Sequence, residues 1–409
     1  MRHLIIGNGP AGVIAAETLR RLDPLADIAM VGDEAEPPYS RMAIPYLLAG
    51  NIGEQGTHLR KEAGHFERLN IRLVQGRAEK LDSSARTVSL ADGGVLRYDR
   101  LLIASGSHAL RPPGMDLPGV HACWTLSDAR AIIAKAAPGA RVLQIGAGFI
   151  GCIILEALVA RGVKLTVVEM GDRMVPRMMT EGAGNMIRRW VEGRGVAVHV
   201  NCRVESLSAR DGALAAKLDS GETVHADLVI CAAGVAPNVA FLAGSGVEVG
   251  RGVRVDAAMQ TSVPGIYAAG DVAEATDFHT GEPTVNAIQP NAADQARIAA
   301  GNMAGEEART QGSLAINVLD TLGLISTSFG QWWAGEGVEL VDEERFRYLN
   351  LQFQDDVLIG ATAIGLTDHI GALRGLIQGR VKLGAWKTRL QADPTQFMAA
   401  YLGCAQKLA

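Results

Sequence analysis

Aromatic side chains are scarce in this chain of 409 residues, at 5%, and several other features are missing altogether. No apolar run reaches the roughly 20 residues that a membrane-spanning helix requires, so no membrane span is expected. The first strand-like run starts at His3, which predicts no secretory leader. The net charge is −5, whereas a general nucleic-acid binder would carry a basic surplus, so no nucleic-acid partner is expected. The nine histidines show neither an H-x-x-x-H spacing nor a cysteine at ligand spacing, which argues against a metal site. Among them His279 reads as a solvated loop residue. Cys123, Cys152, Cys202, Cys231 and Cys404 stand too far apart for a C-x-x-C or C-x-x-x-x-C pair. Isolated thiols of this kind suit a reducing cytoplasm, where most act as small buried hydrophobes.

Glycine, by contrast, is abundant at 48 residues, in a chain that is 48% hydrophobic. The length predicts two or three domains with cores of their own. The glycines are patterned. Gly7-Asn8-Gly9-Pro10-Ala11-Gly12 follows the apolar run His3 to Ile6, and Gly146-Ala147-Gly148-Phe149-Ile150-Gly151 follows Leu143 to Ile145. Each G-x-G-x-x-G opens a helix-like run, the context the motif needs. The first glycine permits a tight turn, the second lets a pyrophosphate approach the main chain, and the third lets helix and strand pack closely. Free N–H groups at the helix start then face the phosphate charge. An acid belongs about twenty residues on, to accept from a ribose hydroxyl. Asp33 and Glu34 fill that place after the first loop and Glu169 after the second. Two such sites predict a flavin dinucleotide in one and a nicotinamide dinucleotide in the other.

Taken in order, the chain predicts a helix from Pro10 to Leu22 and a strand from Asp27 to Val31. A proline-punctuated loop over 37–50 leads into a short helix, and short strands follow at 71–74 and 87–90. Tyr98 to Ser107 reads as a buried strand entering a small-residue turn, and Asp227 to Asn238 mirrors it, so the halves read as a duplication. Further helices are expected at 127–136, capped by Ser127 or Thr125, and over 186–192 and 290–303. The last ninety or so residues change character, with Trp332-Trp333, strands at 348–353 and 357–363 about an Asp355-Asp356 turn, and a basic helical tail.

These stretches together resemble the two-dinucleotide-binding flavoprotein reductases, most closely ferredoxin and rubredoxin reductases and the reductase part of NAD(P)H nitrite reductases. Thr261 to Asp271 resembles the second FAD motif of that family, where an aspartate, here Asp271 after Gly270, bonds the ribityl chain. Tyr98 to Ser107 resembles its Tyr-Asp-x-Leu-x-x-Ala-Thr-Gly-Ser, with Ser105 before Gly106 in place of threonine. Gly234 to Asn238 matches its Gly-x-x-Pro-Asn turn, and Gln289-Pro290 its helix start beside the flavin pyrimidine edge. The resemblance also assigns Arg41, in Pro38-Tyr39-Ser40-Arg41, to the cofactor. It implies an α/β fold of two Rossmann-like domains, glutathione-reductase-like, plus a C-terminal α+β domain. The boundaries are 1–113 with 245–316 for FAD, 114–244 for NAD(P)H and 317–409 for the last domain.

Two departures stand out. Many relatives pair a lysine and a glutamate beside the flavin; those positions read Tyr46 and Ile153 here. Losing both members of a buried pair is far less costly than losing one. Tyr46 either stacks over the nicotinamide or packs in its loop, and Glu156 either substitutes in part or is an ordinary helix acid. Relatives that reduce disulfides carry a cysteine in or near 40–46, where this chain has none. The resemblance therefore implies FAD-mediated transfer from NADH to an external carrier of ferredoxin or rubredoxin type, with no catalytic side chain named. Glu169 favours NADH over NADPH, unless Arg173 blurs the preference; Arg173 reads equally as half of a surface pair. Arg374, Arg380, Lys382, Lys387 and Arg389 offer a docking face for an acidic carrier or simply a solvated tail. Alternatives are a flavoprotein subunit working with a partner reductase subunit, or a flavin-binding redox sensor. A homodimer is compatible with all three.

Overall fold

The computed structural model describes residues 1–210 and 212–405. The chain forms two compact units, Met1–Ala43 with Ile52–His108 and Val235–Leu314, and Ile44–Asn51 with Ala109–Gly234 and Ala315–Ala409. Each contains a five-stranded parallel sheet with the glycine-loop strand at its centre. In the first unit the order is Ile266–Ala268, Arg100–Ile103, Arg2–Ile6, Asp27–Gly32, Ile71–Gln75. In the second it is Ala197–His199, Lys164–Val168, Arg141–Ile145, Leu228–Cys231, Val120–His121. Strands covered on both faces need apolar side chains on both, hence unbroken runs such as Leu4-Ile5-Ile6 and Leu228-Val229-Ile230, all buried.

The duplication extends to individual hydrogen bonds. Gly7 N donates to Val31 O at 2.7 Å, as Gly146 N does to Val168 O at 2.8 Å. Ala104 N donates to Ile6 O and Ala232 N to Ile145 O, both at 2.7 Å. Each central strand also starts with an arginine held by the aspartate before its neighbour. Arg2 pairs with Asp99 at 2.8 Å and Arg141 with Asp227 at 2.6 Å. In both cases hydrogen bonds from the arginine side chain and backbone hold the carboxyl well below its ordinary range, at about 2.

The helix Pro10–Leu22 has the expected bounds, and Thr125, not Ser127, caps Leu126–Lys135 through a reciprocal bond with Asp128. The helix expected from Met186 begins at Glu181. Gly182 and Gly184 lower its intrinsic propensity, but packing needs them, since a Cβ on Gly184 would sit 2.5 Å from Met174 O. The strands Ala213–Leu218 and Thr223–Ala226 form a three-stranded antiparallel sheet with Val204–Arg210.

The second unit also holds a five-stranded antiparallel sheet, ordered Ile316–Thr321, Leu324–Gly330, Val357–Ile364, Arg347–Gln354, Glu336–Asp342. Only two of these strands are expected from sequence. The first two are joined at Leu322-Gly323, where both residues have positive φ, 53° and 82°. That hairpin geometry normally announces itself by Asn-Gly or Asp-Gly, and leucine conceals it. Among the described residues no helix is long and apolar enough to cross a membrane.

Candidate dinucleotide-binding sites

In the first unit the loop after Ile6 turns at Gly7, with φ 112°. A side chain on Gly7 would run into Ala104 O, and one on Gly12 into Gly7 O. A Cβ on Gly9 meets nothing within 4 Å. Gly9 is also the N-cap of Pro10–Leu22, and no side chain caps it. The first and third glycines are thus fixed by packing, while the second leaves open space before uncapped N–H groups. This cradle fits a pyrophosphate.

Around it the same unit gathers the other candidates. A Cβ on Gly270 would lie 3.2 Å from that of Ala11, and Gly270 N donates to buried Gln295 at 2.9 Å. Asp271 accepts from the Ser107 hydroxyl at 3.1 Å. Burial pushes its carboxyl up, opposed by that hydroxyl and by the Arg41 charge. A desolvated carboxylate in this position gains from further donors, such as sugar-alcohol hydroxyls. Pro290 opens the helix Gln289–Ala304, whose N-cap, Ile288, offers no side-chain bond, and Ser40 donates to Gln289 Oε1 at 3.3 Å.

Of the two acids after the second strand, Glu34 lines a cleft of about 710 Å³ together with Asn8, Gly32, Arg60 and His65. Asp33 is exposed and outside that lining. Glu34 accepts from the Tyr39 hydroxyl at 2.7 Å and pairs with Arg41 at 2.8 Å. Ser105 is spent on an internal clasp, its hydroxyl donating to Asn238 O at 2.9 Å while the Asn238 amide donates to Ser105 O at 2.8 Å. Gly106, with φ 66°, makes the turn this requires.

The loop of the second unit repeats the cradle. Gly146 has φ 99°, and a Cβ on Gly151 would lie 2.5 Å from Gly146 O. Gly148 faces open space and caps Phe149–Ala160 without a side-chain bond. Phe149 and Ile150 are half-buried in its first turn. Glu169 accepts from Ala147 N and Gly171 N, both at 2.7 Å, which aims the carboxylate at the loop. Arg173 is engaged elsewhere, with Asp172 at 2.7 Å and with the carbonyls of Met179 and Pro176. Gly234, with φ 108°, accepts from Leu110 N at 2.9 Å.

Tyr46 is 59% exposed within its unit, on the helix Ile44–Leu48. Glu156 stands on the helix Phe149–Ala160. It is half-buried, close to Asp320 and bonded to the Leu322 backbone; burial first, and then the Asp320 charge, push its carboxyl up. Burial likewise pushes the Cys123 and Cys152 thiols to about 12. Two bracing residues escaped notice in the sequence. Gln144, fully buried, donates to Gly146 O at 3.0 Å, and Gln295 holds the Gly270 turn. A glutamine set between Leu143 and Ile145 hints that Gln144 needs a bonded role once buried, whereas Gln295, after Asp294, carries no such signal.

Two parallel sheets, each with an open glycine cradle over an uncapped helix, define a dinucleotide-dependent oxidoreductase of the paired Rossmann-like type. The family model described as pyridine nucleotide-disulphide oxidoreductase matches residues 1–296, and the chain belongs to that family. FAD and a nicotinamide dinucleotide are the two groups that membership brings. The chain is similar to the NADH-dependent phenylglyoxylate dehydrogenase subunit epsilon of Aromatoleum evansii, 32% identical over 96% of this chain and 95% of the relative. It is similar also to the ferredoxin–NAD(+) reductase component of the anthranilate 1,2-dioxygenase system of Burkholderia cepacia, 32% identical over 98% of each. Among solved structures, the ferredoxin reductase for the CYP199A2 system of Rhodopseudomonas palustris superposes with a TM-score of 0.83. It is 28% identical, over 90% of this chain and 92% of the other.

Proposed function

We propose that this chain is an NADH-dependent flavoprotein reductase that delivers electrons to a separate carrier of ferredoxin or rubredoxin type, with no thiol in the path. The observation that carries this reading is the pair of open cradles at Gly9 and Gly148, in a chain with no cysteine between residues 40 and 46. In this reading Gly7 to Gly12, Glu34, Arg41, Gly270, Asp271 and the helix start at Gln289 hold FAD. Gly146 to Gly151 and Glu169 hold NADH. Residues 1–113 with 245–316, 114–244 and 317–409 are the FAD, nicotinamide and C-terminal domains. When bound, FAD supplies the chemistry, taking up a hydride and releasing electrons singly. The protein's part is to bind, orient and shield, so no side chain is assigned a general acid or base role.

NADH is favoured over NADPH because the Glu169 carboxylate accepts from a ribose 2′-hydroxyl and repels a 2′-phosphate. The commitments of Arg173 to Asp172 and to two carbonyls support that preference. Anaerobic stopped-flow bleaching of the visible flavin band tests both points. Faster bleaching with NADH than with NADPH is expected, and a flavin that neither nucleotide bleaches sinks the reading.

One relative favours a second form of this function. The Aromatoleum evansii protein matched over nearly its whole length is named as a subunit, so this chain is read alternatively as the flavoprotein subunit of a larger oxidoreductase. Native mass after mild extraction separates the two forms, and the same sizing detects a homodimer. The spread of thiols, four of them buried, supports a cytoplasmic location.

A further inference from the structure

In the second glycine loop the residue between the first two glycines is held on both sides by one segment. Buried Ala147 donates its N–H to Glu169 Oε2 at 2.7 Å, and its carbonyl accepts from Val175 N at 2.8 Å. Asn8 holds the same place in the first loop, and among the described residues neither its N–H nor its carbonyl is tied in this way. The two bonds act on different peptide groups. Glu169 holds the N–H of the Gly146–Ala147 peptide, whereas Val175 holds the carbonyl of the Ala147–Gly148 peptide. In a trans peptide the carbonyl and the following N–H point in opposite directions. With Ala147 O turned to Val175, the Gly148 N–H is therefore turned away from that segment. Among the described residues Gly148 N has no protein acceptor, and a Cβ on Gly148 would meet nothing within 4 Å.

Val175 makes its bond at a conformational cost. Its φ is 49°, in the left-handed region, where a β-branched residue is a genuine outlier. Pro176 follows it, and a residue before proline is pushed toward extended backbone as well. Such a conformation persists only where the surroundings over-determine it, and here they do. Val175 is buried, and its carbonyl accepts from Met178 N at 2.9 Å and Met179 N at 3.1 Å. Arg173 clamps the same turn, donating from Nε to Met179 O at 3.1 Å and from Nη2 to Pro176 O at 3.3 Å. Its stem is pressed against the helix Glu181–Glu192, since a Cβ on Gly184 would stand 2.9 Å from both Cγ and Cδ of Arg173.

We propose that Val175 is a positioning residue of the second cradle. Held left-handed by the Arg173 clamp, it fixes the Ala147–Gly148 peptide so that the Gly148 N–H faces the pyrophosphate of the nicotinamide dinucleotide. The identity of that ligand rests on the function proposed above. Glu169 then sets the ribose end of the site and the strained turn sets the phosphate end. An N–H already aimed at an incoming phosphate forms a charge-assisted hydrogen bond without first having to be ordered, which raises affinity.

The test is calorimetric binding of two probes to the oxidised flavoprotein. ADP-ribose carries the pyrophosphate, and adenosine carries the ribose without it. Arg173→Met removes the clamp and keeps the stem that packs on Gly184. Arg173→Met with Val175→Gly also removes the need for a clamp, because glycine takes up positive φ unaided. Replacing the Val175 amide N–H by an ester oxygen removes the donor itself. Flavin content and melting temperature verify the fold of each. Arg173→Met and the ester should bind ADP-ribose about tenfold more weakly, the scale of one hydrogen bond to a charged group, and adenosine as wild type does. The double variant should bind ADP-ribose nearly as wild type does, a recovery that cutting away a second buried side chain would not give if Arg173 were merely structural. Unchanged ADP-ribose affinity in Arg173→Met or in the ester, an equal loss for adenosine, or no recovery in the double variant would overturn the proposal and leave the nicotinamide site in place. Wild-type protein that binds neither probe would overturn the proposal together with the reading of the second cradle on which it rests.

Discussion

Within each loop the second and third glycines have opposite structural burdens, although the motif presents them alike. A Cβ on Gly9 enters open space at φ −75°, a conformation any residue adopts, whereas a Cβ on Gly12 collides with Gly7 O. Gly9→Val should therefore yield a folded protein, with a melting temperature close to that of the wild-type apoprotein, that retains little flavin. Gly12→Val should yield little soluble protein, because overpacking against a backbone carbonyl cannot be relieved by a rotamer change. The outcomes are read by absorbance and thermal melting, and a Gly9→Val protein that kept its full flavin content would show that this cradle does not hold it. Glu169 supports a second prediction. It is aimed by two backbone N–H groups rather than by another side chain, so Glu169→Ala removes a charged acceptor while the loop keeps its course. A hydrogen bond to a charged group contributes about 1.5–3 kcal/mol, so KM for NADH should rise roughly tenfold or more while that for NADPH falls. Equal effects on both nucleotides would show that the residue acts on the loop and not on the ribose. Both glycine loops and both acids are legible in the sequence because a short spacing carries their physics. Gln144 and Gln295 are not, since their roles depend on which backbone groups the fold brings within reach.

Among the elements, the helix Phe149–Ala160 carries the loop at its start and Glu156 in its second turn, facing Asp320 of the strand Ile316–Thr321. Two carboxyls near one another at a partly desolvated contact oppose ionisation. With its folded pKa raised, Glu156 holds its proton longer in the folded than in the unfolded protein. Its contribution to stability is therefore greatest below the unfolded pKa, about 4.3, and falls as pH rises through the folded value. Glu156→Gln should then raise the melting temperature at neutral pH and leave it nearly unchanged at pH 4. The gain should stay within about 1 kcal/mol, because the carboxyl is only half-buried and solvent screens the pair. A lower melting temperature at pH 7 would mean that the bond to the Leu322 backbone outweighs the repulsion. That strand and its neighbours also mark where sequence reading stopped. The hairpin at Leu322-Gly323 lacks the residues that favour its geometry, and the helix starting at Glu181 carries two glycines that only the packed structure requires. In each case tertiary contact outweighs local preference, whereas strands such as Leu4-Ile5-Ile6, apolar on both faces, need no such context to be read.

At the scale of the whole molecule, the duplication repeats in each unit a five-stranded parallel sheet, an open glycine cradle and an arginine–aspartate clasp. The family takes its name from disulphide chemistry, yet this chain has no cysteine between residues 40 and 46 to relay electrons. Its four buried thiols are also chemically quiet. Burial pushes the Cys123 and Cys152 thiols up to about 12, so at neutral pH they stay in the protonated, poorly nucleophilic form. Burial raises the Cys202 and Cys231 thiols as well. If electrons pass between nucleotide and carrier through the flavin alone, a thiol reagent has nothing to block. Native protein treated with N-ethylmaleimide, before and after reduction by NADH, should therefore keep its full rate of carrier reduction. Mass spectrometry should find Cys123 and Cys152 unmodified. The step after reduction is decisive, because a relay disulphide would expose reactive thiols only then. Inactivation confined to the NADH-reduced protein would place a thiol in the electron path and reassign this chain to the disulphide-reducing branch of its family.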